Sequence, residues 1–357
     1  MKSVTFFLAV VALHTVAAGS AADFRVGSLS LSATLDKGKK GAVVSLVNAD
    51  GYEFLAEPTD LFSVALTDAS DLTNRLTVTS AQAGFVDLAE DGKGLKAVFS
   101  DFPTGLDHVT VRVIGDDRLR WRVEVKTRDG WTMEEVTCPR VILKAVWDGR
   151  RDERITSGHS NGGCYRPLDE RRKNGFLTAE RPGRMSMQYA GVFNRLHGFY
   201  TAAEDPENES KYLRIVPLCR GDSTNYAETV KGICWEWSWR CWEPHGAAQP
   251  YDVVMRGLVG SAAKPLDWRD IADVYREWVM PQKWCAEPIA HRPDLPEWMK
   301  SGPAKTFFKR CWIADPDEIR RWMNEYYSPT FGDIPLVISF WGWEHQDLWV
   351  GPDYFPA

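Results

Sequence analysis

Residues 108–126 read HVTVRVIGDDRLRWRVEVK, and their spacing indicates the fold class. Apolar side chains take every second position on both sides of a Gly-Asp-Asp turn: Val109, Val111, Val113, Leu119, Trp121, Val123 and Val125. Successive side chains of a β-strand point to opposite faces of the sheet. The stretch therefore predicts a hairpin with one buried face and one solvent face.

The same period of two dominates from Phe24 to about Gly260. Further strand-and-turn units occur at residues 26–35, 41–48, 61–67, 76–79, 95–99, 186–193, 197–203 and 212–217. Because no helical pattern separates them, we predict a large antiparallel β-sandwich, and not a fold that alternates strands with helices.

One strand of this region is rich in tryptophan. The stretch CWEWSWRCW (residues 234–242) divides its side chains between two faces, with Trp235, Trp237 and Trp239 on one and Glu236, Ser238 and Arg240 on the other. The three indole rings could form an aromatic platform for a polysaccharide. They could instead form a wall packed against the next domain, which the flanking cysteines favour because cysteine is usually buried.

After residue 260 the period becomes helical. In LDWRDIADVYREWVMPQKW (residues 266–284), Asp267 is placed to cap a helix and Pro281 to end it. Its apolar face is predicted to contain Trp268, Ile271, Ala272, Tyr275, Trp278 and Val279. A connector with three prolines follows, at residues 285–298.

The last segment predicts a strand, a helix and a second strand. The first strand spans residues 304–313, and the helix has Asp315 as its N-cap, Pro316 at its first position and a stop at Ser328-Pro329. Its buried face is predicted to comprise Ile319, Trp322, Met323 and Tyr326. The apolar run Pro335 to Phe340 is the second strand, which should pair in parallel with the first through a right-handed crossover.

These patterns predict four regions: a signal peptide at 1–22, a β-sandwich at 23–262, a linker helix and Pro-rich connector at 263–303, and the start of a (β/α)₈ barrel at 304–357. Such a barrel needs roughly 250 residues, whereas 54 follow residue 303. We therefore expect the chain to be the front portion of a longer protein whose barrel continues past Ala357. The alternative is a complete small appendage, whose apolar strand would need cover from elsewhere.

The N-terminus has the pattern of an export signal. Lys2 precedes an apolar stretch from Val4 to Val16, and small residues follow from Ala17 to Ala22. We predict a secreted or periplasmic protein with no membrane insertion after signal cleavage. The net charge is -6 and the basic residues form no long run, so nucleic acid is not an expected partner.

The seven cysteines do not have the spacing of a zinc site. We interpret them mainly as small buried residues, with one disulfide allowed among Cys219, Cys234 and Cys241. No cofactor is predicted. A structural calcium ion near Glu204 and Asp205 is a further candidate.

Several stretches together resemble a known architecture. They are the helix DWRDIADVYREWVMPQKW (267–284), RPGRMSMQYAGVF (181–193), GFYTAAEDPENESKYLRI (198–215) and the closing WGWEHQDLWVGPDYFP (341–356). The sequence is similar to bacterial glycoside-hydrolase-like proteins grouped as a domain of unknown function. In that family a galactose-mutarotase-like supersandwich precedes a (β/α)₈ barrel, as in relatives of α-galactosidases. The resemblance implies carbohydrate processing, with catalytic carboxylates on later barrel strands that would lie beyond residue 357.

The loop after the second parallel strand is the predicted substrate site, because residues just past the carboxyl ends of barrel strands line the active-site mouth. Six residues there are predicted to contact sugar: Trp341, Trp343, Glu344, His345, Asp347 and Asp353. Tryptophan stacks on pyranose faces, and carboxylates and imidazole bind hydroxyl groups. The alternative is a solvated surface loop. Nothing in the sequence fixes Glu344 and Asp347 as a catalytic pair.

Three functional hypotheses follow. The first is the N-terminal part of a secreted glycoside hydrolase, in which the chain itself lacks the catalytic carboxylates. The second is a non-catalytic carbohydrate-binding sandwich. The third is a mutarotase-like epimerase, which would need a histidine and a carboxylate facing each other in the sandwich groove.

Overall fold

The structure is a computed structural model that describes residues 23–149, 151–159, 162–167, 177–181, 183–219, 229–300, 305–310, 316–332 and 336–341. The chain divides into two compact units, with the boundary between Trp278 and Val279. This boundary lies inside the predicted linker region 263–303. The predicted bounds of the four regions themselves stay predictions.

The described part of the chain is mainly β-structure. Its strands are β1 (Asp23–Gly27), β2 (Leu31–Asp36), β3 (Ala42–Asn48), β4 (Leu55–Glu57), β5 (Ser63–Asp68), β6 (Arg75–Thr79), β7 (Phe85–Asp91), β8 (Gly94–Ser100), β9 (Leu106–Gly115), β10 (Leu119–Thr127), β11 (Trp131–Lys144), β12 (Arg154–His159), β13 (Gly163–Tyr165), β14 (Leu177–Arg181), β15 (Met185–Phe193), β16 (His197–Glu204), β17 (Lys211–Cys219), β18 (Val230–Glu243), β19 (Asp252–Val259), β20 (Lys305–Arg310) and β21 (Leu336–Trp341). The α-helices are Trp268–Val279, Glu297–Lys300, Pro316–Trp322 and Ser328–Phe331, with a π-helical turn at Met323–Tyr327 and 3₁₀ turns at Ser80–Gln82 and Ile289–His291. None of these helices combines the length and apolar composition that crossing a bilayer requires.

Nineteen of the strands form three antiparallel sheets. A nine-stranded sheet has the order β13-β12-β15-β16-β19-β10-β9-β8-β7, and a seven-stranded sheet has the order β14-β17-β18-β11-β5-β6 with β4 on β11. The third sheet is β1-β2-β3. The predicted hairpin is β9 and β10, and on β10 buried residues alternate with more exposed ones, as expected for one dry face.

The two large sheets pack face to face around an apolar core. Phe199 on the nine-stranded sheet contacts Trp235 on the seven-stranded sheet, with ring centroids 5.9 Å apart. The Trp237 indole N–H donates to the Thr201 hydroxyl across the same space at 3.0 Å. The predicted antiparallel sandwich is therefore confirmed.

The linker helix, Trp268–Val279, packs on the outer face of the nine-stranded sheet. Asp267 caps it as predicted, because its carboxylate accepts the Arg269 N–H at 2.6 Å. Ile271 lies over Gly191, where an added Cβ would be 2.7 Å from the Ile271 side chain, so the glycine permits this close approach. The prediction for Trp268 was wrong: it is 48% exposed, and Val274 is buried with Ile271 instead.

The second unit contains the predicted strand, helix and strand. β20 and β21 pair in parallel, with Lys305 opposite Leu336 and Arg310 opposite Trp341. The helix begins at Pro316 as predicted, although Asp315 lies outside the described residues.

The predicted end of that helix was wrong. Ser328 and Pro329 do not stop it, because a π-helical turn at Met323–Tyr327 leads into a further α-helical turn that has the proline near its start. Tyr326, which was predicted to be buried, is 63% exposed, and the neighbouring Tyr327 is buried. A π-turn contains an extra residue, which rotates the residues after it and brings Tyr327 to the buried face.

Arginine side chains tie the linker helix to the sheet. Glu204 is buried at the end of β16 and accepts hydrogen bonds from Arg118 at 2.5 Å and Arg120 at 2.6 Å. Glu277 of the helix lies 3.0 Å from Arg256 and 3.9 Å from Arg118. One ionic network therefore joins the β9–β10 turn, β16, β19 and the helix.

The network predicts a loss of stability in acid. Burial alone would raise the pKa of Asp117, but hydrogen bonding, first from Arg118, and the charges of Arg118 and Arg120 outweigh it and lower the pKa from 3.8 to about 2. A group with a lowered folded pKa stabilises the protein above its unfolded pKa and loses this contribution as pH falls through the folded value. We expect the unfolding free energy to drop between pH 4 and pH 2, and Asp117→Asn to reduce this slope in urea titrations. An unchanged slope in the variant would contradict this assignment.

Candidate functional site

The described residues include only one of the six predicted sugar-contacting residues. Trp341 is the last residue of β21, paired with Arg310 of β20. Trp343, Glu344, His345, Asp347 and Asp353 lie outside the described residues. The substrate rim therefore stays a prediction, and the described sites are on the sandwich.

The tryptophan strand faces the core. Trp235, Trp237 and Trp239 are 1%, 1% and 5% exposed. The predicted burial is therefore confirmed, and these rings are not an aromatic platform. They form a wall of the sandwich core, because Trp235 and Trp237 contact the nine-stranded sheet, whereas packing against the next domain was predicted. Any binding by this strand must use its opposite face.

That opposite face carries a charged array on three adjacent strands. Register places Glu236 of β18 between Arg214 of β17 and Arg140 of β11, and places Arg240 beside Glu135. We define the polar sheet face by the following residues: Glu135, Arg140, Tyr212, Arg214, Glu236 and Arg240.

Salt bridges fix the two carboxylates of the polar sheet face. Glu236 accepts from Arg140 Nε at 2.8 Å, and Glu135 accepts from Arg214 at 2.7 Å. Arg214 also lies 3.9 Å from Glu236, and Arg240 lies 3.7 Å from Glu135. Burial alone would lower the pKa of Arg140, but the adjacent Glu236 carboxylate outweighs it and raises that pKa. The salt bridges therefore hold these side chains in place on the sheet.

Aromatic rings lie next to this array. The Tyr212 hydroxyl accepts from Arg240 at 2.7 Å, and the guanidinium carbons of Arg240 and Arg214 lie 4.8 Å and 5.9 Å from the centre of the Tyr212 ring. Trp242, two residues after Arg240, is 55% exposed. Fixed planar donors and acceptors beside a half-buried and an exposed aromatic ring are the chemistry that binds sugar hydroxyls and pyranose faces.

A second cluster joins three loops at the start of β16. His197 lies between two carboxylates, with Nε2 3.3 Å from Asp148 and Nδ1 3.1 Å from Asp50, the latter without hydrogen-bond geometry. Its ring stacks on Tyr52, with centroids 4.0 Å apart. Because both imidazole nitrogens face protein carboxylates, neither points to an open ligand position.

The loop that carries Asp148 has an unusual backbone. Asp148 and Arg151 have φ values of 53° and 57°, a region that non-glycine residues seldom occupy. Glu153 is buried and accepts a hydrogen bond from the Trp147 N–H. Burial raises the pKa of Glu153, and burial followed by the Asp148 charge raises that of Tyr52. This geometry ties the loops together. The epimerase hypothesis, which needs a histidine and a carboxylate facing each other in the sandwich groove, stays a prediction.

The calcium candidate at Glu204 and Asp205 has a different role. Glu204 binds two arginines, and Asp205 accepts from the backbone N–H groups of residues 207–209 and from Lys211. These carboxylate oxygens are engaged by donors. In the described part of the chain, no group of three or more His, Cys, Asp or Glu side chains is arranged to hold a metal ion.

Five cysteine side chains are described, and these five are free thiols: Cys138 and Cys234 are buried, Cys241 and Cys285 half-buried and Cys164 exposed. The side chain of Cys219 lies outside the described part. A bridge between Cys234 and Cys241 is absent because both lie on β18, seven positions apart. Seven residues of strand span roughly 23 Å, whereas a disulfide requires Cα atoms within about 7 Å.

Solved structures are similar to this chain. The α-N-acetylgalactosaminidase NagBb from Bifidobacterium bifidum aligns with a TM-score of 0.51 and 14% identity, over 94% of this chain and 54% of the enzyme. A GalM/aldose epimerase homologue from C. elegans aligns with a TM-score of 0.43 and 9% identity, over 67% of this chain and all of that one. No protein-family profile matches the sequence, and no curated protein matches it.

The alignment with NagBb shows a common fold. This chain spans about half the length of that enzyme. Because 94% of the present chain is covered, the alignment includes most of the sandwich and extends into the unit that contains the parallel pair.

Proposed function

We propose that this chain is the N-terminal part of a secreted carbohydrate-processing protein of the glycoside hydrolase type. One observation carries the proposal: the chain shares its fold, over nearly its whole length, with about half of an α-N-acetylgalactosaminidase. The sandwich precedes a parallel strand-helix-strand unit, the order that the sequence resemblance implies.

The pairing of β20 with β21 supports the proposed location of the substrate site. The strands run in parallel and end together at Arg310 and Trp341, so the loops after them begin at one edge of the sheet. In a (β/α)₈ barrel, that edge bears the active site. The proposed rim, from Trp341 to Asp353, follows β21 directly.

Hydrolysis assays test this proposal. The 357-residue chain should not turn over aryl α-N-acetylgalactosaminides or α-galactosides, because the proposed acid and nucleophile lie on later strands. The longer protein, encoded by the reading frame from its start to beyond codon 357, should hydrolyse at least one aryl glycoside. Robust turnover by the 357-residue chain, or a longer product that cleaves no glycoside, would overturn the proposal.

A second candidate function is saccharide binding by the sandwich itself, and the polar sheet face favours it. Calorimetric titration of the 357-residue chain with oligosaccharides should show binding that Tyr212→Ala and Trp242→Ala each weaken about tenfold, since a stacked aromatic ring contributes on the order of 1 kcal/mol or more. Phe85→Ala is the matched control, because Phe85 is 54% exposed on the other large sheet. Equal affinities for all three variants and the parent chain would exclude this face.

A further inference from the structure

The charged side chains of the polar sheet face form one alternating series. Glu236 lies between Arg140, at 2.8 Å, and Arg214, at 3.9 Å. Glu135 lies between Arg214, at 2.7 Å, and Arg240, at 3.7 Å. Along the face, the charges therefore alternate in sign from Arg140 to Arg240, with an arginine at each end.

The two terminal arginines differ in their acidic neighbours. Arg140 has a second one, Asp60, whose negative charge also stabilises the Arg140 guanidinium. Among the described residues, Glu135 is the one carboxylate that forms an ion pair with Arg240. This carboxylate already accepts a closer hydrogen bond from Arg214. The Arg240 end of the series therefore lacks an anion of its own.

The Arg240 guanidinium is both held in place and accessible. Its Nη1 donates to the Tyr212 hydroxyl at 2.7 Å, and the guanidinium carbon lies 4.8 Å from the centre of the Tyr212 ring. The Arg240 side chain is nevertheless 52% exposed. A guanidinium has five N–H donors, of which the contact with Tyr212 uses one, and its planar fork matches the two oxygens of a carboxylate. Donors therefore remain for a ligand that approaches from solvent.

Trp242 provides an apolar surface next to this guanidinium. It follows Arg240 by two positions on β18, so both side chains lie on the same face of the sheet, roughly 7 Å apart along the strand. The Trp242 side chain is more than half exposed. An indole face stacks on a pyranose ring, and a guanidinium binds a carboxylate through two parallel hydrogen bonds. The pair therefore fits a sugar ring that carries a carboxylate.

We propose that the polar sheet face binds acidic saccharides, with the carboxylate of a uronic acid unit on Arg240 and a sugar ring on Trp242. This ligand class deepens the second candidate function, saccharide binding by the same face, and depends on it. Arg240 is then the residue that distinguishes an acidic sugar from a neutral one. The ligand carboxylate extends the alternating series by one charge and leaves the salt bridge between Arg214 and Glu135 intact.

Calorimetric titration of the 357-residue chain with two matched pairs of trisaccharides tests the proposal. One pair is the trisaccharide of galacturonic acid and its galactose counterpart, and the other is the trisaccharide of glucuronic acid and its glucose counterpart, each pair with the same linkage. At least one acidic trisaccharide should bind about tenfold or more tightly than its neutral counterpart, because a charge-assisted hydrogen bond is stronger than a neutral one. Added salt should reduce this preference.

Three variants assign the preference to Arg240. Arg240→Gln should abolish it, and Arg240→Lys should keep only part of it, because lysine retains the charge and loses the planar fork. Arg122→Gln is the matched control and should keep the preference, since Arg122 is 50% exposed on the nine-stranded sheet.

The outcomes separate the ligand class from the binding function on which it depends. Equal affinities for the acidic and neutral members of both pairs, or a preference that survives in Arg240→Gln, would overturn the acidic ligand class and leave saccharide binding by this face standing. If none of the four trisaccharides binds the parent chain, saccharide binding by this face is wrong, and the acidic ligand class with it.

Discussion

Replacing Asp205 with alanine should destabilise the protein by about 3–5 kcal/mol, the cost of leaving a buried charge unpaired. The change removes the carboxylate from Lys211, which is fully buried, and from the three backbone N–H groups that it accepts. Urea unfolding followed by tryptophan fluorescence measures the loss. A chain of marginal stability would be largely unfolded by this single substitution.

An exposed aspartate provides the control for that substitution. Asp107 is 54% exposed and lies 4.0 Å from Lys126, so Asp107→Ala should change stability by about 0.5 kcal/mol or less. The double variant Asp205→Ala/Lys211→Met should recover part of the loss, because it removes the orphaned charge. Equal effects of Asp205→Ala and Asp107→Ala would contradict the buried-pair account.

The second large effect is expected in the core wall. Trp237→Ala should cost about 3–5 kcal/mol, since it removes a fully buried indole and leaves a cavity between the two large sheets. It also leaves the Thr201 hydroxyl without its indole donor. The same unfolding assay applies, with loss of the cooperative transition as the extreme outcome.

Trp242→Ala is the matched control, on the same strand and with the same change of side chain. Trp242 is 55% exposed, so its replacement should shift the unfolding midpoint little. If both substitutions had the same small effect, Trp237 would not be part of a packed core. The three tryptophans would then again be candidates for an aromatic platform that binds a polysaccharide.

The sequence predicted those elements whose signal is local. The β9–β10 hairpin, the two faces of β18 and the cap at Asp267 all follow from spacing within one short stretch. The parallel pair β20 and β21 followed from the apolar runs on either side of one helix. In each case the pattern repeats within the element, so neighbouring strands need not be known.

The errors lie where geometry departs from the regular period. The π-helical turn shifts the buried position from Tyr326 to Tyr327, and no residue of that stretch marks an extra residue in the turn. Trp268 was placed on the buried face by helical spacing, but it is the first residue of the helix and is 48% exposed. Helical periodicity shows on which side of the helix a residue lies. It does not show whether the sheet under the helix extends as far as that residue.

The polar sheet face was not predicted because its residues come from distant parts of the chain. The sequence placed Glu236 and Arg240 on the face of β18 opposite the tryptophans. Their partners lie on other strands: Arg140 and Arg214, on β11 and β17, contact Glu236, and Glu135 and Tyr212, on the same two strands, contact Arg240. The available signal was the Arg and Glu at alternate positions of 236–240. Only the register of β17, β18 and β11 shows that these residues lie side by side on one surface.

We propose that the β-sandwich leads into a (β/α)₈ barrel whose first two strands are β20 and β21. A crystal structure of the product of the complete reading frame tests it most directly. We expect β20 and β21 to be adjacent strands of a closed parallel barrel, with Trp341 at the mouth and two carboxylates on later strand ends. A structure in which this pair remains two-stranded, covered as a finished edge of the sandwich, would contradict it.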